Sequence, residues 1–83
     1  MTRDELLKWL GEQLHEVLGV DQAELSPDTN LIDDLDADSI DLIEVVNAAE
    51  RRFDVVIEEQ ELYEITTLGQ FVDVLAAAGV TEG

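Results

Sequence analysis

The chain contains no cysteine, so neither a disulfide framework nor a cysteine metal site can support it, and its stability must come from packing. It is poor in positive charge, with four Lys and Arg against 21 Asp and Glu, a formal net charge of -17. A field of that sign repels nucleic acid, heparin-like polymers and anionic membranes, so a macromolecular partner should be basic. No apolar run approaches the ~18 residues of a membrane span, and the first ten residues already carry Arg3, Asp4, Glu5 and Lys8. A cytoplasmic protein without a membrane span is the expectation. The single histidine, His15, falls in a helical pattern beside Leu14, and there is no G-x-S-x-G elbow, so a serine hydrolase is disfavoured.

What is present is an 83-residue chain, 46% hydrophobic, enough for one core. A domain of this size buries only ~60 to 65% of its unfolded surface, and we expect a single domain over residues 1–83 that remains a monomer. Thr2 and Glu5 have capping-box spacing, and Leu6, Leu10, Leu14, Val17 and Leu18 follow at steps of three and four before Gly19. This predicts a first helix over about 3–18. Residues 20–37 hold Pro27, Asn30 and several Asp without a period, which reads as a long connection pinned over the core by Leu25, Leu31, Ile32 and Leu35.

A second helix is expected from Asp38 or Ser39, both good N-cap residues, to about Phe53. Leu42, Val46, Ala49 and Phe53 form its buried stripe, and Asp41, Glu44, Ala48 and Arg51 an exposed one. After "FDVVI", residues 58–65 allow one or two helical turns with Leu62 and Ile65 inward. Thr67 and Gln70 repeat the capping-box spacing ahead of Leu68, Phe71, Val72 and Leu75, with Gly79 as the stop. The fold class is therefore all-α: a small four-helix bundle with a long first loop and a short third helix.

The densest acidic stretch, "DLDADSIDLIE" at 34–44, sets five Asp and Glu around one serine. Asp34, Asp36 and Asp38 imitate the start of a calcium loop, but Ser39 and Val45 stand where its turn glycine and bidentate glutamate belong, so no dedicated metal site is expected. Two readings of Ser39 stay open on the residues alone. It is a helix cap among solvated acids, or it is an exposed attachment point at a helix N-terminus, where free amides suit a phosphate.

The segment "DLDADSIDLIEVVNAAERRFDVVI", with "ITTLGQFVDVL" downstream, resembles the acyl carrier proteins over essentially the whole chain. The resemblance implies that Ser39 carries a 4'-phosphopantetheine arm, taken from coenzyme A, whose thiol holds acyl groups as thioesters. It implies that the chain is a carrier and not an enzyme, with no catalytic residues of its own. It further implies that Asp38, Asp41 and Glu44 meet basic docking patches on a phosphopantetheinyl transferase and on acyl-transferring and chain-modifying enzymes of fatty-acid, polyketide or related biosynthesis. The sequence departs from the family pattern at Asp36, where Gly is common, at Asn47, where a larger apolar residue is usual, and at Arg51 and Arg52, in a region acidic in many fatty-acid carriers. The competing class is an unmodified acidic interaction module that uses its second helix as a recognition face.

Overall fold

The computed structural model describes residues 2–80 and contains, in chain order, α1 (Arg3–Leu18), a short 3₁₀ turn (Gln22–Glu24), α2 (Ser39–Phe53), α3 (Glu59–Leu62) and α4 (Leu68–Ala77). No β-strand occurs among the described residues; one isolated antiparallel bridge pairs Asn30 with Thr67. The chain is thus an all-α bundle with the expected long first loop and short third helix.

α1 begins where two backbone donors are satisfied reciprocally: Glu5 N–H donates to Thr2 Oγ1 at 3.1 Å and Thr2 N–H to Glu5 Oε1 at 2.9 Å. The Thr2 backbone N–H contributes most, and the Thr2 hydroxyl next, to holding the Glu5 carboxyl below its ordinary value. That support for the helix is complete above the unfolded-state value and fades as pH falls through the lowered folded value. Leu6, Leu10 and Leu14 point into the core with no exposure, and Gly19, at φ 74°, turns the chain out of the helix. α1 packs against both α2 and α4.

The 20–37 connection is held by its own hydrogen bonds and by the start of α4. Leu31 N–H donates to Thr66 O at 2.9 Å, Leu68 N–H to Thr29 O at 3.0 Å and Gly69 N–H to Pro27 O at 2.9 Å. A Cβ at position 69 would lie 3.0 Å from Pro27 O, so glycine permits this close approach. Of the four apolar residues expected to pin the loop, Leu31 is fully buried, and Leu25 and Leu35 pack partly buried against the core. Ile32 instead stays 43% exposed. The pairing of Leu31 with Thr66 commits Leu31 inward, and the next residues curl into a turn, with Asp34 N–H donating to Asn30 O and Asp36 N–H to Ile32 O, which carries Ile32 outward.

The turn leaves Asp36 at φ 58°, the left-handed region. Aspartate tolerates it better than most residues, and a β-branched side chain tolerates it worst. Asp36→Val is expected to lose about 1 to 2 kcal/mol in urea unfolding, whereas Asp36→Gly should match or exceed wild type. A valine variant as stable as wild type would contradict this backbone conformation.

The buried stripe of α2 comprises Leu42, Val45, Val46 and Ala49. Val45 was not part of the expected stripe, and Phe53, which was, is half-buried at the helix end. The ring of Phe53 meets Trp9 edge-on at 4.9 Å between centroids, and the Arg52 guanidinium lies 5.3 Å above it. An i, i+3, i+4, i+7 stripe accounts for all four buried positions, and Phe53 covers the rim. After Asp54, left-handed at φ 55°, the "VVI" segment runs without a strand partner, and Ile57 N–H donates to Glu50 Oε2 at 2.8 Å. α3 is a single turn, with Leu62 half-buried and Ile65 buried beyond it. α4 has the expected box, Gln70 N–H to Thr67 Oγ1 at 3.2 Å, and buries Leu68, Phe71, Val72 and Leu75.

Candidate functional site

Ser39 is the first residue of α2, and Asp38, not Ser39, is its cap. Asp38 Oδ1 accepts from Asp41 N–H at 3.1 Å, and Asp41 Oδ2 accepts from Asp38 N–H at 3.2 Å. Both oxygens of this box come from aspartates, so the Ser39 hydroxyl is spared from capping, and the residue is exposed. The cap reading of Ser39 is thereby excluded. The N–H groups of Ser39 and Ile40, at the first two helical positions, have no intrahelical acceptor and lie at the positive end of the helix dipole.

The approach to the serine is set by the loop before it. Ala37 is buried and its N–H donates to Leu31 O at 3.0 Å, which anchors the chain immediately ahead of the cap. Asp34 is used locally: its Oδ2 accepts from Asn30 N–H at 2.9 Å, while Asn30 Oδ1 accepts from Ile32 and Asp33 N–H. Among the described residues no group of three or more His, Cys, Asp and Glu is arranged to hold a metal ion.

On one side Ser39 borders a recess of about 140 Å³, lined also by Leu42, Ile43, Glu59, Leu62 and Tyr63. Glu59 and Tyr63 come from α3 and the residue just after it, and the sequence reading did not place them at the site. Tyr63 Oη donates to Glu59 Oε1 at 3.2 Å. That hydrogen bond, followed by the nearby carboxylate charge, raises the Tyr63 hydroxyl above its ordinary value. The i, i+4 spacing of Glu59 and Tyr63 was the available signal for their pairing, but nothing local shows that it faces Ser39.

The three acids expected to meet partners differ in what they do. Asp38 and Asp41 hold the helix start, with Asp41 half-buried, whereas Glu44 is exposed one turn beyond. His15 is exposed, and its Nδ1 is 2.8 Å from Val20 O at the C-terminal end of α1. No helix among the described residues is long and apolar enough to cross a membrane.

A phosphate ester fits this arrangement, because an exposed hydroxyl, two free amides and an adjoining apolar recess meet at one helix start. Comparison with known proteins identifies the family. Residues 8–75 match the family model described as a phosphopantetheine attachment site. The chain is 38% identical over 81 residues to an acyl carrier protein of Acidothermus cellulolyticus, covering 98% of this chain and 96% of that protein. Its fold matches the crystal structure of acyl carrier protein from Thermotoga maritima with a TM-score of 0.82 at 27% identity, over 94% of this chain and 91% of that one. A chain in the structure of the ishigamide ketosynthase/chain length factor matches with a TM-score of 0.71 at 36% identity, over 89% and 93% of the two chains. Those relatives cover nearly the whole bundle and the serine helix together, and the chain accordingly belongs to the acyl carrier protein family, carrying acyl groups as thioesters on a covalently attached 4'-phosphopantetheine.

Proposed function

We propose that Ser39 is the attachment serine and that residues 1–83 form one carrier domain serving acyl-transferring enzymes. The observation that carries the assignment is the division of labour at the start of α2: Asp38 and Asp41 supply the cap, and Ser39 is left exposed with an uncommitted hydroxyl. A radius of gyration of 11.4 Å, beside ~12 Å expected for a compact chain of this length, supports a single unit.

In this reading Ser39 Oγ forms the phosphoester, and the free N–H groups of Ser39 and Ile40 face the phosphate. The attached group supplies a thiol on a flexible arm, which the cysteine-free chain lacks. Leu42, Ile43 and Leu62 offer an apolar shelter beside the attachment point for the arm or the first carbons of its cargo. The acids steer the carrier to basic docking patches on a phosphopantetheinyl transferase and on chain-modifying enzymes, ketosynthases among them, working in the cytoplasm where coenzyme A is supplied. Exposed charge contacts of this kind give fast encounter with modest affinity, which suits a shuttle that must leave each partner.

The test is intact-mass spectrometry after incubation with coenzyme A and a broad-specificity phosphopantetheinyl transferase. Wild type should gain the mass of one phosphopantetheine and lose it on phosphodiester cleavage. Protein left unmodified under conditions that convert a control carrier would sink the proposal.

The acids are expected to separate by role. Glu44→Lys should slow modification about two- to fivefold, more at low salt, with the helix intact. Asp41→Asn keeps an oxygen for the Asp38 N–H and should slow it less, while Asp41→Lys also removes the box and should lower the melting temperature. Stopped-flow rates beside thermal melts resolve these effects, and equal rates for Glu44→Lys and wild type at low salt would remove Glu44 from the docking face.

A further inference from the structure

Beside the Ser39 recess, α1 and α2 border a second, separate opening. It is an open groove of about 440 Å³, lined by Gln13, Val17, Glu44, Asn47, Ala48 and Arg51. Glu44 and Arg51 are seven residues apart, which on a helix means about 10.5 Å along the axis and almost the same face. The groove therefore has a negative end near the attachment serine and a positive end two turns away, with the neutral polar side chains of Asn47 and Gln13 between them.

Between them α2 supplies neither charge with a counter-ion, and Asp54, the left-handed C-cap three positions after Arg51, makes no ion pair with it. The residues three and four positions after Glu44, and before Arg51, are Asn47 and Ala48, so no opposite charge occupies those neighbouring positions on the stripe. The ion pair found among the described residues joins Arg3 to Asp73, well away from the groove. Arg52, adjacent in sequence, is used otherwise, its guanidinium lying over the Phe53 ring.

We propose that this groove is a docking surface for a helix of an acyl-handling partner enzyme that presents a cationic and a carboxylate side chain seven residues apart. The charge pattern selects this occupant. A uniformly basic helix would satisfy Glu44 and meet Arg51 with like charge, and a uniformly acidic one would do the reverse. A second copy of the chain, laid antiparallel, would also match Glu44 with Arg51, but it would bring together two molecules of net charge -17. Proximity to Ser39 supports an enzyme: Glu44 lies five residues, about 7.5 Å of helix, beyond the attachment point, within one ordinary interface footprint. The inference relies on the carrier reading only for the partner's class.

The experiment titrates the 83-residue protein, with and without its phosphopantetheine arm, with two stapled 15-residue helical peptides. One carries Lys and Glu seven residues apart on its polar face, the other Lys at both positions. Amide chemical shifts locate binding and give Kd. The Lys/Glu peptide should bind about 3- to 10-fold tighter than the Lys/Lys peptide, shifting amides within 13–17 and 44–51. Arg51→Glu should invert that preference. Arg52→Glu, an identical change in net charge, should leave it standing.

Absence of selectivity, shifts confined to other segments, or equal inversion by Arg52→Glu would overturn the proposal. So would shifts at 13–17 and 44–51 that depend on protein concentration without peptide, since the occupant would then be a second copy. Mass spectra of the same samples report separately on Ser39, so failure of attachment and failure of the groove are distinguishable.

Discussion

Ser39→Ala is expected to give a folded protein that accepts no phosphopantetheine at all, an all-or-none loss with almost no stability change. Loss of acceptance follows from chemistry, because a methyl group offers no oxygen for the phosphoester. Retention of the fold follows from the cap: Asp38 Oδ1 receives the Asp41 N–H and Asp41 Oδ2 receives the Asp38 N–H, so no oxygen of residue 39 takes part in the box. Alanine at the first position of a helix is a good helix former, and the change should stay within about 0.5 kcal/mol. Asp38→Ala is the informative opposite, expected to lose about 1 kcal/mol through the missing cap while retaining the hydroxyl and accepting the arm. Intact mass and urea unfolding on the two variants should therefore move in opposite ways. Modification of Ser39→Ala at another residue would overturn the site, and a loss beyond ~1 kcal/mol would mean that Ser39 shares the capping after all.

The largest stability effect outside the helices is expected at Leu31, a loop residue with no exposed surface. Leu31→Ala leaves a cavity at a point that cannot close freely, since Leu31 N–H is bound to Thr66 O and Leu31 O to Ala37 N–H. Buried leucine-to-alanine changes cost about 2 to 5 kcal/mol, a large share of the ~5 kcal/mol at the lower end for small domains. Ile32→Ala, one residue on and 43% exposed, should cost less than about 1 kcal/mol. Circular dichroism during urea unfolding measures both. Similar losses at the two positions would show that the loop lies on the core without belonging to it. Because Ala37 hangs from Leu31 and leads directly to Asp38 and Ser39, Leu31→Ala should also slow modification of the part that remains folded.

The division between local and distant information runs through each of these residues. α1, α2 and α4 were legible because capping spacing and apolar periodicity act within one or two turns of chain, where neighbours in sequence are neighbours in space, whereas α3, too short to show a period, was legible only as one or two turns within 58–65 and is the single turn Glu59–Leu62. Thr2 with Glu5 and Thr67 with Gln70 form the boxes their spacing implies. The family likeness around Ser39 was legible for a related reason, since a hydroxyl at a helix start amid acids is a contiguous pattern.

Tertiary structure decided what contiguity cannot. Asp38 and Ser39 are equally good caps by composition, and backbone geometry chose Asp38. Leu31 and Ile32 are comparable apolar residues, and the hydrogen bond to Thr66, 35 positions away, sent only Leu31 inward. Glu59 and Tyr63 reach the Ser39 recess only because the segment after α2 folds back, held by Ile57 on Glu50. Arg51 and Arg52 are adjacent and chemically identical, yet one borders the groove and the other covers Phe53, because a step of 100° around the helix points them at different neighbours. Periodicity specifies which residues share a face; the packing of distant segments specifies what that face meets.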